Sequence, residues 1–238
     1  MNIAVIFAGG SGKRMHTKDK PKQFLLVHGK PIIVHTIEHF QYHKEIDGII
    51  VACIDSGIPY MEEMKYRYRL DKIGKIVSGG TSGQMSIYNG LKAAAEVYGT
   101  VNNIVLIHDG VRPLINDKLI TDNIESVKEY GSAITVTKAK ETVILVDNDG
   151  HVCDVPSRSH SRNAQAPQSF WLEDILNVEE QAISDGITNA IDSCSLMRQY
   201  GHELSIVEGP YENIKITTPE DFYIFRALYD ERENKQLL

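Results

Sequence analysis

No window of the 238-residue sequence approaches 18 consecutive apolar residues, so a membrane-spanning helix is not expected. The start also lacks the charged region, apolar stretch and cleavage site of a secretory signal. Cationic excess is missing as well. With a formal net charge of −7, a general nucleic-acid or anionic-membrane binder is not expected, and any cations that matter must be concentrated locally. Cysteine is scarce: Cys53, Cys153 and Cys194 are an odd set without metal-ligand spacing, which fits a reduced, cytoplasmic protein. Internal repeats, low-complexity segments and linkers are absent. The length suits one α/β domain over residues 1–238.

What is present begins with NIAVIFAGGSGKRM, Asn2 to Met15. The apolar run Ile3 to Ala8 reads as a buried strand that stops at Gly9-Gly10, with Ser11-Gly12 and the cations Lys13 and Arg14 after it. Successive N–H groups in such a loop make a concave anion site, and two adjacent cations would neutralise a polyphosphate. A Walker A loop is excluded because Arg14 stands where Ser or Thr is required. The dinucleotide fingerprint is excluded because its third glycine is missing. The plain alternative is a Gly-rich turn between strand and helix.

Further on, Lys22 follows Pro21 in an extended KDKPKQF segment, within reach of phosphate or simply solvated. Pro31 opens a helix with Ile33, Ile37 and Phe40 on one face, and Gly48 to Cys53 is a second strand. Tyr60 to Leu70 reads as a charged surface helix, which explains its KYRYR stripe better than nucleic-acid binding does. A third strand ends at Ile76-Val77 and runs into a second glycine-rich turn, SGGTSGQM, followed by Ser86. Asn103 to Ile107 is a fourth strand, ending in His108, Asp109 and Arg112, where open α/β sheets bind ligands; the plain alternative for Asp109 and Arg112 is a surface ion pair. Asn116 and Gly131 bracket the next helix. Ala133 to Thr137 is a fifth strand. Thr142 to Val146 and His151 to Val155 then flank Asp147 to Gly150 as a projecting hairpin, an arm over about 139–160 suited to a subunit contact. Helices are expected at about 172–185 and 192–200, a last strand at Leu204 to Val207, Lys215 in a strand between Ile214 and Ile216, and a final helix opened by Thr218-Pro219. Strands alternating with helices predict a doubly wound, mainly parallel sheet.

Taken together, AGGSGKRM, PKQF, GGTSGQMS, HDGVRP, APQSF and NIKITTPEDF, in this order across nearly the whole chain, resemble the cytidylyltransferases that couple CTP to a sugar-alcohol phosphate. Two activities share the pattern, one acting on methylerythritol 4-phosphate and one on ribitol 5-phosphate. The resemblance implies a Rossmann-like fold, a homodimer formed through the arm, and a divalent cation, usually Mg²⁺. It also implies roles. Arg14 and Lys22 would hold the triphosphate, and Lys215 would stabilise the pentacoordinate α-phosphate. Ala8, Gly9, Gly10, Ser11, Gly12, Gly80, Thr81 and Ser86 would contact the nucleotide. Asp109 would lie beside the metal or substrate hydroxyls, while Arg112, Thr142, Arg158 and Asp192 would bind the acceptor. Thr142 and Arg158 would come from the neighbouring subunit.

Two departures bear on specificity. Gly83 stands where the family turn usually has Arg. Ile191-Asp192-Ser193-Cys194-Ser195 replaces Thr-Asp-Glu-Ala-Ser of the isoprenoid branch, which removes a hydroxyl donor and favours ribitol 5-phosphate as acceptor. A non-catalytic nucleotide-binding regulator is the alternative from another class. Retention of Arg14, Lys22, Asp109 and Lys215 speaks against it, since a pure binder needs no cation aimed at a transition state.

Overall fold

The computed structural model describes residues 1–9 and 21–236. In chain order the elements are β1 (Asn2–Ala8), a small hairpin of β2 (Leu26–Val27) and β3 (Lys30–Pro31), α1 (Ile32–Tyr42), β4 (Gly48–Cys53), α2 (Ile58–Arg67), β5 (Ile73–Ser78) and α3 (Gly83–Tyr98). They continue with β6 (Ile104–Asp109), α4 (Asp117–Tyr130), β7 (Ser132–Lys138), β8 (Leu145–Val146), β9 (Val152–Asp154), β10 (Arg162–Trp171), α5 (Leu172–Ser184), α6 (Ser193–Gln199), β11 (Ile206–Glu208) and α7 (Pro219–Gln236).

The apolar runs of β1, β4 and β6 do not alternate with polar residues because both faces of the sheet are covered. Along β1, Ala4, Ile6 and Ala8 pack with α1, α2 and α4, whereas Ile3 and Val5 pack with α3, α5 and α6. Seven strands form one sheet in the order β11-β7-β10-β6-β1-β4-β5. β1 is parallel to β4 and β6, β4 to β5, and β7 to β11. Because β4 and β6 lie on opposite sides of β1, the chain reverses direction across the sheet there, and a crevice opens beyond the carboxyl ends of β1 and β6. α7 packs separately, Phe225 joining Ile32, Leu114 and Ile216. Among the described residues no helix is long and apolar enough to cross a membrane.

Local signals held where a backbone group demanded them. Asn116 caps α4 by accepting from Leu119 N at 2.9 Å, and Gly131 ends it at φ 82°, a left-handed conformation that favours glycine. Several expectations need correction. β10 was not anticipated, and it runs antiparallel between β6 and β7. The arm's strands shrink to β8 and β9, and Thr142 lies outside them. The last strand is shifted to Ile206–Glu208. Lys215 lies in no strand: residues 213–217 are irregular, and pinned as described below.

Candidate active site

Two clefts meet at the carboxyl edge of β1 and β6. The larger, about 460 Å³, is lined by Ala8, Gly9, Lys22, Gly80, Thr81 and Ser86, with Phe7, Asp109 and Lys215 at one wall. The smaller, about 240 Å³, shares Phe7, Gly83, Asp109 and Lys215 with it and adds Arg112, Gln84, Glu179, Ile191 and Asp192.

The glycine turns close around Ser86. Its Oγ accepts from Gly80 N at 3.0 Å and donates to Ser82 O at 2.8 Å. A Cβ on Gly9 would stand 2.5 Å from that same Oγ, so a side chain there would force the Ser86 hydroxyl out of its bonds or one of the turns to move. Ser86 is thus engaged in building the cleft as well as lining it. Ser82 caps α3 through Met85 N, which aims the helix's positive end at the clefts.

Asp109 is buried, not part of a surface ion pair. Lys215 Nζ approaches its Oδ1 at 2.6 Å and Arg112 Nε donates to its Oδ2 at 2.8 Å. Burial alone would raise this carboxyl, but the two cations outweigh burial and hold it at about 2. Arg112 Nη1 also donates to Asn213 O at 2.8 Å, and Asn213 Nδ2 donates to Ala166 O at 2.6 Å. Ile216 N bonds Val111 O at 3.0 Å, and Lys22 Nζ donates to Ile216 O at 2.8 Å. Lys215 is therefore fixed from both sides, by the backbone bond of Ile216 to the turn after β6 and by the Asn213 side chain's bond to β10, without belonging to the sheet. His108 supports the same turn. Its Nε2 donates to Arg112 O at 3.1 Å, and burial pushes its pKa down to about 4, so it is a neutral core residue packed on Phe40.

Asp192 caps α6 by accepting from Ser195 N at 2.8 Å, and its other oxygen accepts from Gln168 Nε2 at 2.9 Å. Of the residues expected at the site, Ala8, Gly9, Lys22, Gly80, Thr81, Ser86, Asp109, Arg112, Asp192 and Lys215 converge on the clefts. Thr142 and Arg158 do not: Thr142 lines a separate recess with Lys140 and Tyr211, and Arg158 is exposed on the arm. Gly10, Ser11, Gly12 and Arg14 lie outside the described residues. Sequence reasoning missed Gln84, Gln168, Glu179 and Asn213. Only Glu179 carries a signal, being a charged residue in the apolar stripe of α5.

The arrangement is a cation-lined junction between a glycine-walled cleft and a smaller, mixed one, with no nucleophile and base paired for acyl transfer among the described residues. Comparison with known proteins agrees with that chemistry. Residues 2–231 match the family described as 2-C-methyl-D-erythritol 4-phosphate cytidylyltransferase, IspD. The chain is similar to a ribitol-5-phosphate cytidylyltransferase of Streptococcus agalactiae serotype V, with 60% identity over 100% of this chain and 98% of the relative. It is also similar to a 2-C-methyl-D-erythritol 4-phosphate cytidylyltransferase of Clostridium acetobutylicum, with 40% identity over 96% of this chain and 97% of the relative. The crystal structure of 4-diphosphocytidyl-2C-methyl-D-erythritol synthase from Anaerococcus prevotii superposes with a TM-score of 0.83 at 30% identity, covering 96% of each chain. With its sequence matched almost end to end and its fold shared, the chain belongs to the IspD family of cytidylyltransferases.

Proposed function

We propose that the protein transfers CMP from CTP to ribitol 5-phosphate, giving CDP-ribitol and pyrophosphate. The observation that carries this reading is the Lys215–Asp109 pair at the wall common to both clefts. The glycine-walled cleft suits the nucleotide, the smaller one the acceptor, and the shared wall is where their phosphates would meet. A phosphate oxygen of the acceptor attacks the α-phosphorus of CTP. A new P–O bond forms, the bond from the α-phosphorus to the bridging oxygen breaks, and pyrophosphate leaves with the electron pair. The attacking oxygen is already anionic at neutral pH, so no general base is needed. Positioning and neutralisation of charge do most of the work. Lys215 would meet charge on the α-phosphate, and Lys22, with Arg14, would hold the triphosphate.

Mg²⁺ typically takes one or two carboxylates and completes its shell with phosphate oxygens and water. Asp109 is the one acidic side chain among the described residues lining the larger cleft, and cations already face both of its oxygens. That donor set fits a Mg²⁺ carried in on the triphosphate and touched by Asp109, not a preformed protein cage. Such an ion would offset charge on the leaving pyrophosphate.

The ribitol reading is supported by the name of the Streptococcus agalactiae relative and by Ile191, which stands 93% exposed at the acceptor cleft and offers no hydroxyl. We also propose a cytoplasmic homodimer through the arm, with Thr142 and Arg158 supplied to the partner's acceptor cleft. Incubation with CTP, Mg²⁺ and either ribitol 5-phosphate or methylerythritol 4-phosphate, followed by pyrophosphate release, tests the reaction. A higher kcat/KM for ribitol 5-phosphate is expected. Preference for methylerythritol phosphate would transfer the chain to the isoprenoid branch, and release with neither would remove the reading.

A further inference from the structure

α5 presents Leu172, Ile175, Val178 and Ala182 to the core, and Glu179 falls in the same stripe, where helical periodicity calls for an apolar residue. It is 1% exposed yet forms part of the acceptor-cleft wall. Among the described residues no cation offsets it: its partner is the neutral Gln84, whose Nε2 donates to Glu179 Oε2 at 3.0 Å. Burial pushes the carboxyl up to about 7, with the Gln84 bond pulling the other way, so near neutrality both its protonated and ionised forms are populated. A protonated carboxyl can donate as well as accept, which matches a hydroxyl group's own double capacity. Gln84 spends the rest of its amide on the loop before Asp192, donating to Ile187 O at 2.9 Å and accepting from Ala190 N at 2.8 Å. An uncompensated carboxyl in an apolar stripe costs stability unless a ligand uses it, and such conflicts with local rules concentrate at functional sites.

We propose that Glu179 is an acceptor-recognition residue, hydrogen-bonding a hydroxyl of the polyol chain, and that Gln84 is the positioning residue that aims it and holds residues 187–190 in place. This rests on the polyol-phosphate reading above. Arg112, just past the end of β6, and Lys215 bring cations to one wall of the cleft, whereas α3, α5 and residues 190–193 supply another, along which the rest of the acceptor would extend. A wall that hydrogen-bonds a hydroxyl discriminates strongly against an analogue that leaves its polar group unpaired, and a branched methyl in the same place gains little there.

The test uses the full chain and the variants Glu179→Leu and Glu179→Gln, with steady-state kinetics for ribitol 5-phosphate, methylerythritol 4-phosphate and CTP. Glu179→Leu suits the apolar stripe and should fold, with its CTP affinity serving as the control. It should raise KM for ribitol 5-phosphate by about tenfold or more, leave KM for CTP within about twofold, and narrow the preference between the two acceptors. Glu179→Gln keeps a hydrogen-bonding amide and should recover most of the lost discrimination. A purely structural residue would shift CTP and acceptor parameters together, and that outcome, or unchanged acceptor KM and preference in Glu179→Leu, would overturn the proposal. If Glu179→Leu does not fold, Glu179→Met, apolar and of similar length, takes its place, and an unchanged acceptor KM and preference in that variant would overturn the proposal equally. Failure of the unaltered protein to use either acceptor would instead overturn the function on which the proposal rests.

Discussion

Lys215 Nζ lies 2.6 Å from Asp109 Oδ1 at the wall shared by the two clefts, brought there from a segment outside the sheet. The pairing keeps an ammonium, 40% exposed, directed by a carboxylate that is 8% exposed. A charge so placed needs little reorganisation when a transition state forms beside it.

Lys215→Ala should therefore lower kcat by 10²- to 10³-fold, about 3 to 4 kcal/mol, with a much smaller loss of CTP affinity. Steady-state rates set against calorimetric CTP binding check this. Turnover equal to that of the unaltered protein would remove Lys215 from the reaction.

Acid should expose the same pair. The folded value of Asp109, about 2, lies below the ordinary 3.8, so its pairing adds stability above pH 3.8 and loses it as pH falls through about 2. Asp109→Asn should abolish that slope and cost roughly 2 kcal/mol at neutral pH. Urea unfolding across this acid range and at pH 7 measures both, and matching slopes in the two proteins would contradict the pairing.

Gly9→Ala should lower stability by about 1 to 3 kcal/mol and weaken CTP binding, because its Cβ meets Ser86 Oγ at 2.5 Å, and either that hydroxyl gives up its bonds or a turn moves. Thermal unfolding with and without CTP reads the two effects. An unchanged Tm would show that the turns are not in contact in solution.

The arm leaves Ile144, Leu145, Val146, Val152 and Val155 about half exposed. Replacing residues 142–155 with a short Gly-Ser link should give a monomer by sedimentation that binds CTP but no longer turns over a polyol phosphate. A variant that still sediments as a dimer would place the subunit contact elsewhere.

Much of the fold was legible because the deciding interactions were local. Asn116 and Gly131 bound α4 through bonds within a few residues of themselves, and the unbroken apolar runs of β1, β4 and β6 announce strands covered on both faces. β10 was hidden because the polar residues of its buried half are satisfied by distant partners. Gln168 bonds Asp192 and Cys194, and Ser169 bonds Asn123, so RNAQAPQSFW reads as a loop until the rest of the molecule surrounds it.

The site divides in the same way. Glycine turns and the HDGVR strand end could be named from residue type and order, since a phosphate site needs close backbone approach and cations whatever the fold around them, whereas Lys215 was named only through the family resemblance. Their roles as partners could not. Lys22 reaches Ile216 O across 194 residues and Gln84 reaches Glu179 across 95, and periodicity carries no information over such separations. By itself the sequence determined a mainly parallel α/β sheet with a cation-bearing glycine edge, through local backbone needs and apolar patterning. Only the tertiary structure decided that Asp109 is buried between two cations and that Glu179 lies in the wall of the smaller cleft with no cation beside it among the described residues, because desolvation and charge pairing depend on which distant segments pack together.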